Sequence, residues 1–152
     1  MVGNKPLIYL DNCCFNRPYD DQSQLKINIE TLAKLKIQEA VRDEKILLTT
    51  SYVLVAENTA NPSNTKKTDI QRFIDKYTYA FVSRNKENEI IQLAEDIMQT
   101  GIKYMDACHV ASAIIAGCDY FISTDKRLLK YESEKIRLIN PVTFVIEEED
   151  RL

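Results

Sequence analysis

Gly101–Lys130, GIKYMDACHVASAIIAGCDYFISTDKRLLK, sets an aspartate on each side of a helix and a strand. Ala107, Val110, Ala111, Ile114 and Ile115 recur at helical spacing. They predict a close-packed helix that opens at Asp106 and stops before Gly117, a residue suited to a left-handed cap. Tyr120, Phe121 and Ile122 then read as a buried strand. A helix of about eleven residues at ~1.5 Å each carries the chain roughly 16 Å from Asp106, and about five strand residues at ~3.3 Å each bring it back. Asp125 therefore returns to the level of Asp106. A helix that feeds a strand is half of a βαβ unit, and open parallel sheets bind ligands beyond the carboxyl ends of their strands. Both aspartates are expected on that edge.

Composition bounds the rest. A chain of 152 residues is most economically one domain, 1–152, large enough to bury a real core. With 45% hydrophobic and 28% charged residues, disordered and collagen-like classes are excluded. The first residues, MVGNKPLIYLDNCC, lack a basic segment followed by a long apolar run, and no apolar stretch approaches membrane-spanning length. A cytoplasmic location with no membrane association is the expectation. Four cysteines without paired C-x-x-C spacing, Cys13 and Cys14 being adjacent, fit buried free thiols in a reducing compartment. The net charge of -3 argues against a protein that simply coats nucleic acid, which needs Lys and Arg to neutralise phosphates, and leaves room for a local basic patch.

Working outward, Leu7–Leu10 is an apolar run that ends in Asp11, the form of a central parallel strand delivering a polar residue at its carboxyl end. The following NCCFNRPYDDQ reads as a loop, with Asp20, Asp21 or Ser23 available to cap a helix running to about Arg42. Leu25, Ile29, Leu32, Ala33, Leu35, Ile37, Ala40 and Val41 cover more than one stripe of that helix, so a second face is expected to meet a partner or a second copy. Lys45–Thr49 reads as a strand. Ser51 can cap a helix through Asn58 that carries Glu57 among Val53, Val55 and Ala56. Thr65–Tyr79 reads as a basic amphipathic helix, Ala80–Val82 as a short strand, and Lys86–Thr100 as a helix ended by Gly101. Beyond Asp125 come a short helix through Leu128 and Leu129, a strand near Ile136–Ile139, and an acidic tail, VTFVIEEEDRL, expected to be solvated.

Asp11, Asp106 and Asp125 thus follow strands or open a helix, and Glu57 lies on a helix just past a strand. Converged, they form an oxygen-only, strongly negative pocket that only cations could hold together. Such donors select Mg²⁺ or Mn²⁺ over zinc, and two ions about 4 Å apart can assist phosphodiester hydrolysis by water.

These segments resemble the PIN-domain ribonucleases, especially the toxins of bacterial and archaeal toxin–antitoxin pairs, over nearly the whole chain. The resemblance lies in IYLDNCC for Asp11, SYVLVAEN for Glu57, MDACHVASA for Asp106 and FISTDKRLL for Ser123 and Asp125. It implies an α/β fold, a single-domain three-layer α/β/α arrangement with a central, mostly parallel sheet. It also implies a metal-dependent endoribonuclease whose Asp11, Glu57, Asp106 and Asp125 hold Mg²⁺ or Mn²⁺, an RNA substrate and an antitoxin partner. The family usually has Thr or Ser after its first Asp; here Asn12 follows, able to hydrogen-bond a metal water. Ser123 is the second auxiliary residue, and Lys126 and Arg127, beside Asp125, are favoured for gripping phosphates.

Blander readings stand beside these. An isolated Asp after a strand is usually a cap or turn residue, and it is the ordered set that reverses the odds. His109, the only histidine, could act as a general base, but a packed or solvent-facing role is favoured. Cys13, Cys14, Cys108 and His109 lack zinc-site spacing and read as small buried groups. Two non-enzymatic alternatives remain: an acid-cluster signalling domain, for which the acidic pair at the first strand is missing, and a catalytically silent PIN-like binding module, against which all four acids count. The D-x-D of haloacid-dehalogenase-type phosphatases is absent at Asp11-Asn12-Cys13.

Overall fold

The computed structural model describes residues 1–152. Five strands, β1 (Leu7–Leu10), β2 (Leu47–Ser51), β3 (Thr78–Val82), β4 (Tyr120–Ile122) and β5 (Arg137–Ile139), form one sheet in the order β3-β2-β1-β4-β5. All four pairings are parallel. The chain winds outward from β1 through β2 to the edge strand β3, then returns past both to lay β4 on the other side of β1. The direction of winding reverses at β1, and the carboxyl ends of β1 and β4 flank that switch point, where open α/β sheets form their crevice.

Seven helices flank the sheet: α1 (Asn12–Asn16), α2 (Leu25–Arg42), α3 (Tyr52–Thr59), α4 (Asn64–Tyr77), α5 (Glu87–Met98), α6 (Tyr104–Ile115) and α7 (Pro141–Glu147). All of β1 is buried, as a central strand covered on both faces requires. Tyr9 stacks on Phe121 at 5.4 Å between centroids and meets His109 of α6 edge-on. Alternation therefore sends Ile8, Leu10 and Ile122 to the opposite face, where they are equally buried. Ile37, Ala40 and Val41 of α2 and Phe144 of α7 belong to the same continuous core. The result is the three-layer α/β/α architecture, with a sheet that is wholly parallel.

Several boundaries differ from the sequence reading, each for a local reason. α6 opens at Tyr104, two residues before Asp106, with Lys103 at the cap making no side-chain hydrogen bond. Asp106 lies inside the first turn, where the helix dipole still favours an anion. Gly117, at φ 77°, ends α6, and the Cys118 N–H donates back to Ala113 O in the six-to-one bond of a Schellman end. The segment read as a loop after Asp11 holds α1, capped by the Asp11 carboxylate, and a 3₁₀ turn at Arg17–Tyr19 containing Pro18. None of the residues proposed to cap α2 does so. Gln24 occupies the cap, and Asp21 instead accepts from the amide and hydroxyl of Ser23. α4 stops at Tyr77, and β3 takes Thr78 and Tyr79, whose branched and aromatic side chains suit an extended strand.

The largest correction is at the carboxyl end, read as a solvated acidic tail. Asn140 caps α7, Phe144 is fully buried, Arg137 pairs with Glu147, and Glu148 accepts from the Tyr120 hydroxyl. The expected spare face of α2 is present: Leu25 is 74% and Leu32 60% exposed, with Ile29 and Leu35 also exposed on the same stripe.

Candidate active site

The carboxyl edge of the sheet gathers the chemistry. Asp11 follows β1 and is buried; its Oδ1 accepts the Asn12 N–H at 2.8 Å, and its Oδ2 accepts the Ser123 hydroxyl at 2.8 Å. Cys13 points its thiol at the same Oδ2 from 3.3 Å, and the Thr124 N–H donates to that sulfur. α1 and the segment after β4 are thus tied together around one carboxylate. Glu57 is carried in by α3, whose start is fixed by the Ser51 side chain accepting the Leu54 N–H, the cap read from the sequence. Its Oε2 lies 3.2 Å from Nε2 of His109. One ligand atom each from Asp11, Glu57 and His109 can be chosen so that all lie within 4.8 Å of one another.

Asp106 and Asp125 stand outside that tight group and face it electrically. Burial raises the Asp106 carboxyl above its ordinary range, and the charges of Asp11 and Asp125 push it further the same way. Asp125 serves as a turn residue as well. Its Oδ1 accepts the N–H groups of Arg127 at 2.9 Å and Leu128 at 3.4 Å, while its own N–H donates to Ser123 Oγ. Asp106, Asp125, Lys126 and Arg127, together with Lys103, line a cavity of 350 Å³. A larger cavity of 610 Å³, lined by Ile46, Leu47 and Thr78, lies at the amino ends of β2 and β3, away from the acids.

Ionisation inside the cluster follows from burial and neighbours. Burial raises the Asp11 carboxyl, opposed by the His109 charge and by the hydrogen bonds from Ser123 and Cys13. Burial works the same way on Glu57, but the hydrogen bond and charge of His109, with help from the Asn12 side chain, outweigh it and hold Glu57 below its ordinary range. For His109, burial disfavours the cation, yet the Glu57 hydrogen bond and the charges of Asp11, Glu57 and Asp106 prevail and lift it above its ordinary value.

The donor set fits a hard divalent cation. Four carboxylates contribute only oxygen, and the buried Oδ1 of Asn12 has no hydrogen-bond partner, an orphaned acceptor that a metal-bound water would satisfy. Asp11 and Glu57, with His109, bring ligand atoms within reach of one ion, and Asp106 and Asp125 add their charge to the same edge.

His109 takes the packed role favoured from the sequence and adds a contact that reading did not foresee. It is packed against Tyr9 and Glu57 inside the cluster. Cys13 is half-buried and bonded to the site, unlike the inert thiol expected. Tyr9 and Ser51 as functional neighbours were also missed. The one available signal was alternation, which sets Tyr9 two residues before Asp11 on the same side of β1.

No family model matches the chain, and no curated protein matches it. Among solved structures, the chain is similar to the crystal structure of FitAcB from Neisseria gonorrhoeae, with a TM-score of 0.55 and 15% identity over 88% of this chain and 97% of that one. At that identity the likeness is one of fold, a PIN-like three-layer α/β/α domain.

Proposed function

We propose that this protein is a metal-dependent endoribonuclease that hydrolyses RNA phosphodiester bonds at the carboxyl edge of its sheet. The observation that supports the reading most is the convergence of Asp11 and Glu57 within one small cluster, with Asp106 and Asp125 close enough to share its field. Asp11, Glu57, Asp106 and Asp125 would bind Mg²⁺ or Mn²⁺, and the bound ion would lower the pKa of a water nucleophile and neutralise charge on the leaving oxygen. Ser123 holds Asp11 in orientation through its 2.8 Å hydrogen bond. Asn12 offers its free carbonyl to a water. Lys126 and Arg127, both exposed at the rim of the cavity with Asp106 and Asp125, would grip the phosphates flanking the scissile bond.

The exposed stripe of α2 is read, under the same proposal, as the docking face for an antitoxin-like protein or a second copy of this chain. The nuclease reading is tested by incubating the purified protein with a labelled single-stranded or looped RNA. Cleavage is expected with Mg²⁺ or Mn²⁺, none in excess EDTA, and a fall to background in Asp106→Asn, which keeps the side-chain size and removes the anion. Cleavage that persists in EDTA or in Asp106→Asn would overturn it.

A further inference from the structure

The side chains around His109 form a chain of hydrogen bonds whose direction can be worked out. The Leu54 N–H donates to Ser51 Oγ at 3.1 Å, Ser51 Oγ lies 2.7 Å from the Tyr9 hydroxyl oxygen, and that oxygen lies 2.6 Å from Nδ1 of His109. On the far side of the ring, Nε2 lies 3.2 Å from Glu57 Oε2. Ser51, Tyr9 and His109 are all fully buried, so no solvent can repair a misdirected proton.

Each neutral imidazole nitrogen is either a donor or an acceptor, and an ionised carboxylate only accepts. If Nε2 carries the proton, it donates to Glu57, the Tyr9 hydroxyl donates to Nδ1, the Ser51 hydroxyl donates to Tyr9, and Ser51 oxygen receives the Leu54 N–H. Every donor then has an acceptor. With the proton on Nδ1 the chain must reverse: Tyr9 donates to Ser51, whose hydroxyl hydrogen is left with no acceptor in a closed interior, and the bare Nε2 lone pair faces a carboxylate. Buried polar groups are satisfied in folded proteins as a rule, which selects the first arrangement.

We propose that Tyr9 and Ser51 lock His109 as its Nε2–H tautomer, making it a donor that positions Glu57 and not a ligand of the acid cluster. The inference rests on the metal-site reading above and deepens it. Distance alone would admit His109 as a third ligand beside Asp11 and Glu57, and an imidazole ligand would tilt the site towards zinc, copper or nickel. The proton on Nε2 closes that option and leaves the set to oxygen. It also aims Glu57, which sits on the half-exposed side of α3 and has no other ion-pair partner.

His109 is the only histidine, so imidazole nitrogen NMR of the ¹⁵N-labelled protein gives one unambiguous ring. At alkaline pH the apo protein is expected to show protonated Nε2 and bare Nδ1, and added Mg²⁺ is expected to leave that pattern unchanged. The Nδ1–H tautomer, a doubly protonated ring at that pH, or a shift marking Nε2 coordination would overturn the proposal. Mg²⁺ calorimetry supplies the second readout. His109→Ala is expected to weaken binding 10- to 100-fold, the usual effect of losing an outer hydrogen bond, with His109→Gln restoring part of it through an amide donor and Tyr9→Phe falling between wild type and His109→Ala. Wild-type binding that is unchanged in His109→Ala would sink the positioning role. No Mg²⁺ binding by wild type would sink the metal-site reading instead, with the tautomer still decided by the apo spectrum.

Discussion

Lys34 is buried on α2 without a carboxylate partner, its ammonium 5.6 Å from the centroid of Phe15. Burial lowers its pKa from the ordinary 10.5 to about 8. A depressed lysine costs stability wherever it is charged: the penalty is absent above pH 10.5, grows as pH falls, and is complete below about 8. Lys34→Met is therefore expected to stabilise the fold at neutral pH by about 1–3 kcal/mol, with the gain fading in urea unfolding curves as pH rises towards 10.5. At the site, Asp106→Asn should abolish cleavage, whereas His109→Ala should reduce it about 10- to 100-fold as the loss of an orienting group. An equal loss in both, from single-turnover rates, would give the imidazole a direct part in the chemistry. The places of Asp11, Glu57, Asp106 and Asp125 along the fold were legible because each sits next to a recognisable strand or helix. His109 was not, because its partners Tyr9 and Glu57 lie 100 and 52 residues away and periodicity within α6 carries no trace of them.

The strands were legible as short apolar runs, and their carboxyl ends located the acids. Elements whose reason for existing is tertiary were not. α7 reads as an acidic tail until Phe144 is seen to be buried and Arg137 to hold Glu147; Phe144→Ala is expected to cost about 3–5 kcal/mol in chemical denaturation, and a loss near zero would return that segment to the solvent. α1 is too short for any helical period to show, and exists because Asp11 caps it. In α2 the excess of apolar residues over one core-facing stripe was legible, and the uncovered side chains Leu25 and Leu32 are the outcome. Replacing both with lysine should leave folding intact and shift size-exclusion with light scattering towards the monomer, or abolish capture of a protein partner. A wild-type protein that is strictly monomeric and whose partner binding ignores the double substitution would remove that role from the helix.

For the whole molecule, the winding order β3-β2-β1-β4-β5 is what turns four acids spread from Asp11 to Asp125 into one negatively charged edge. Such an edge works against the fold until a cation neutralises it, so metal should act as a stabilising ligand, raising the unfolding temperature with concentration. The sequence made this arrangement legible at the level of order and spacing; the coupling of Asp106 to Asp11 and Asp125 required the closed crossover between β3 and β4. Calorimetric titration of Mn²⁺ into the apo protein, beside Asp11→Asn, tests the account most directly. Saturable binding by wild type that is lost or strongly weakened in Asp11→Asn is the predicted result; no binding at millimolar Mn²⁺, or identical isotherms for the two proteins, would contradict it.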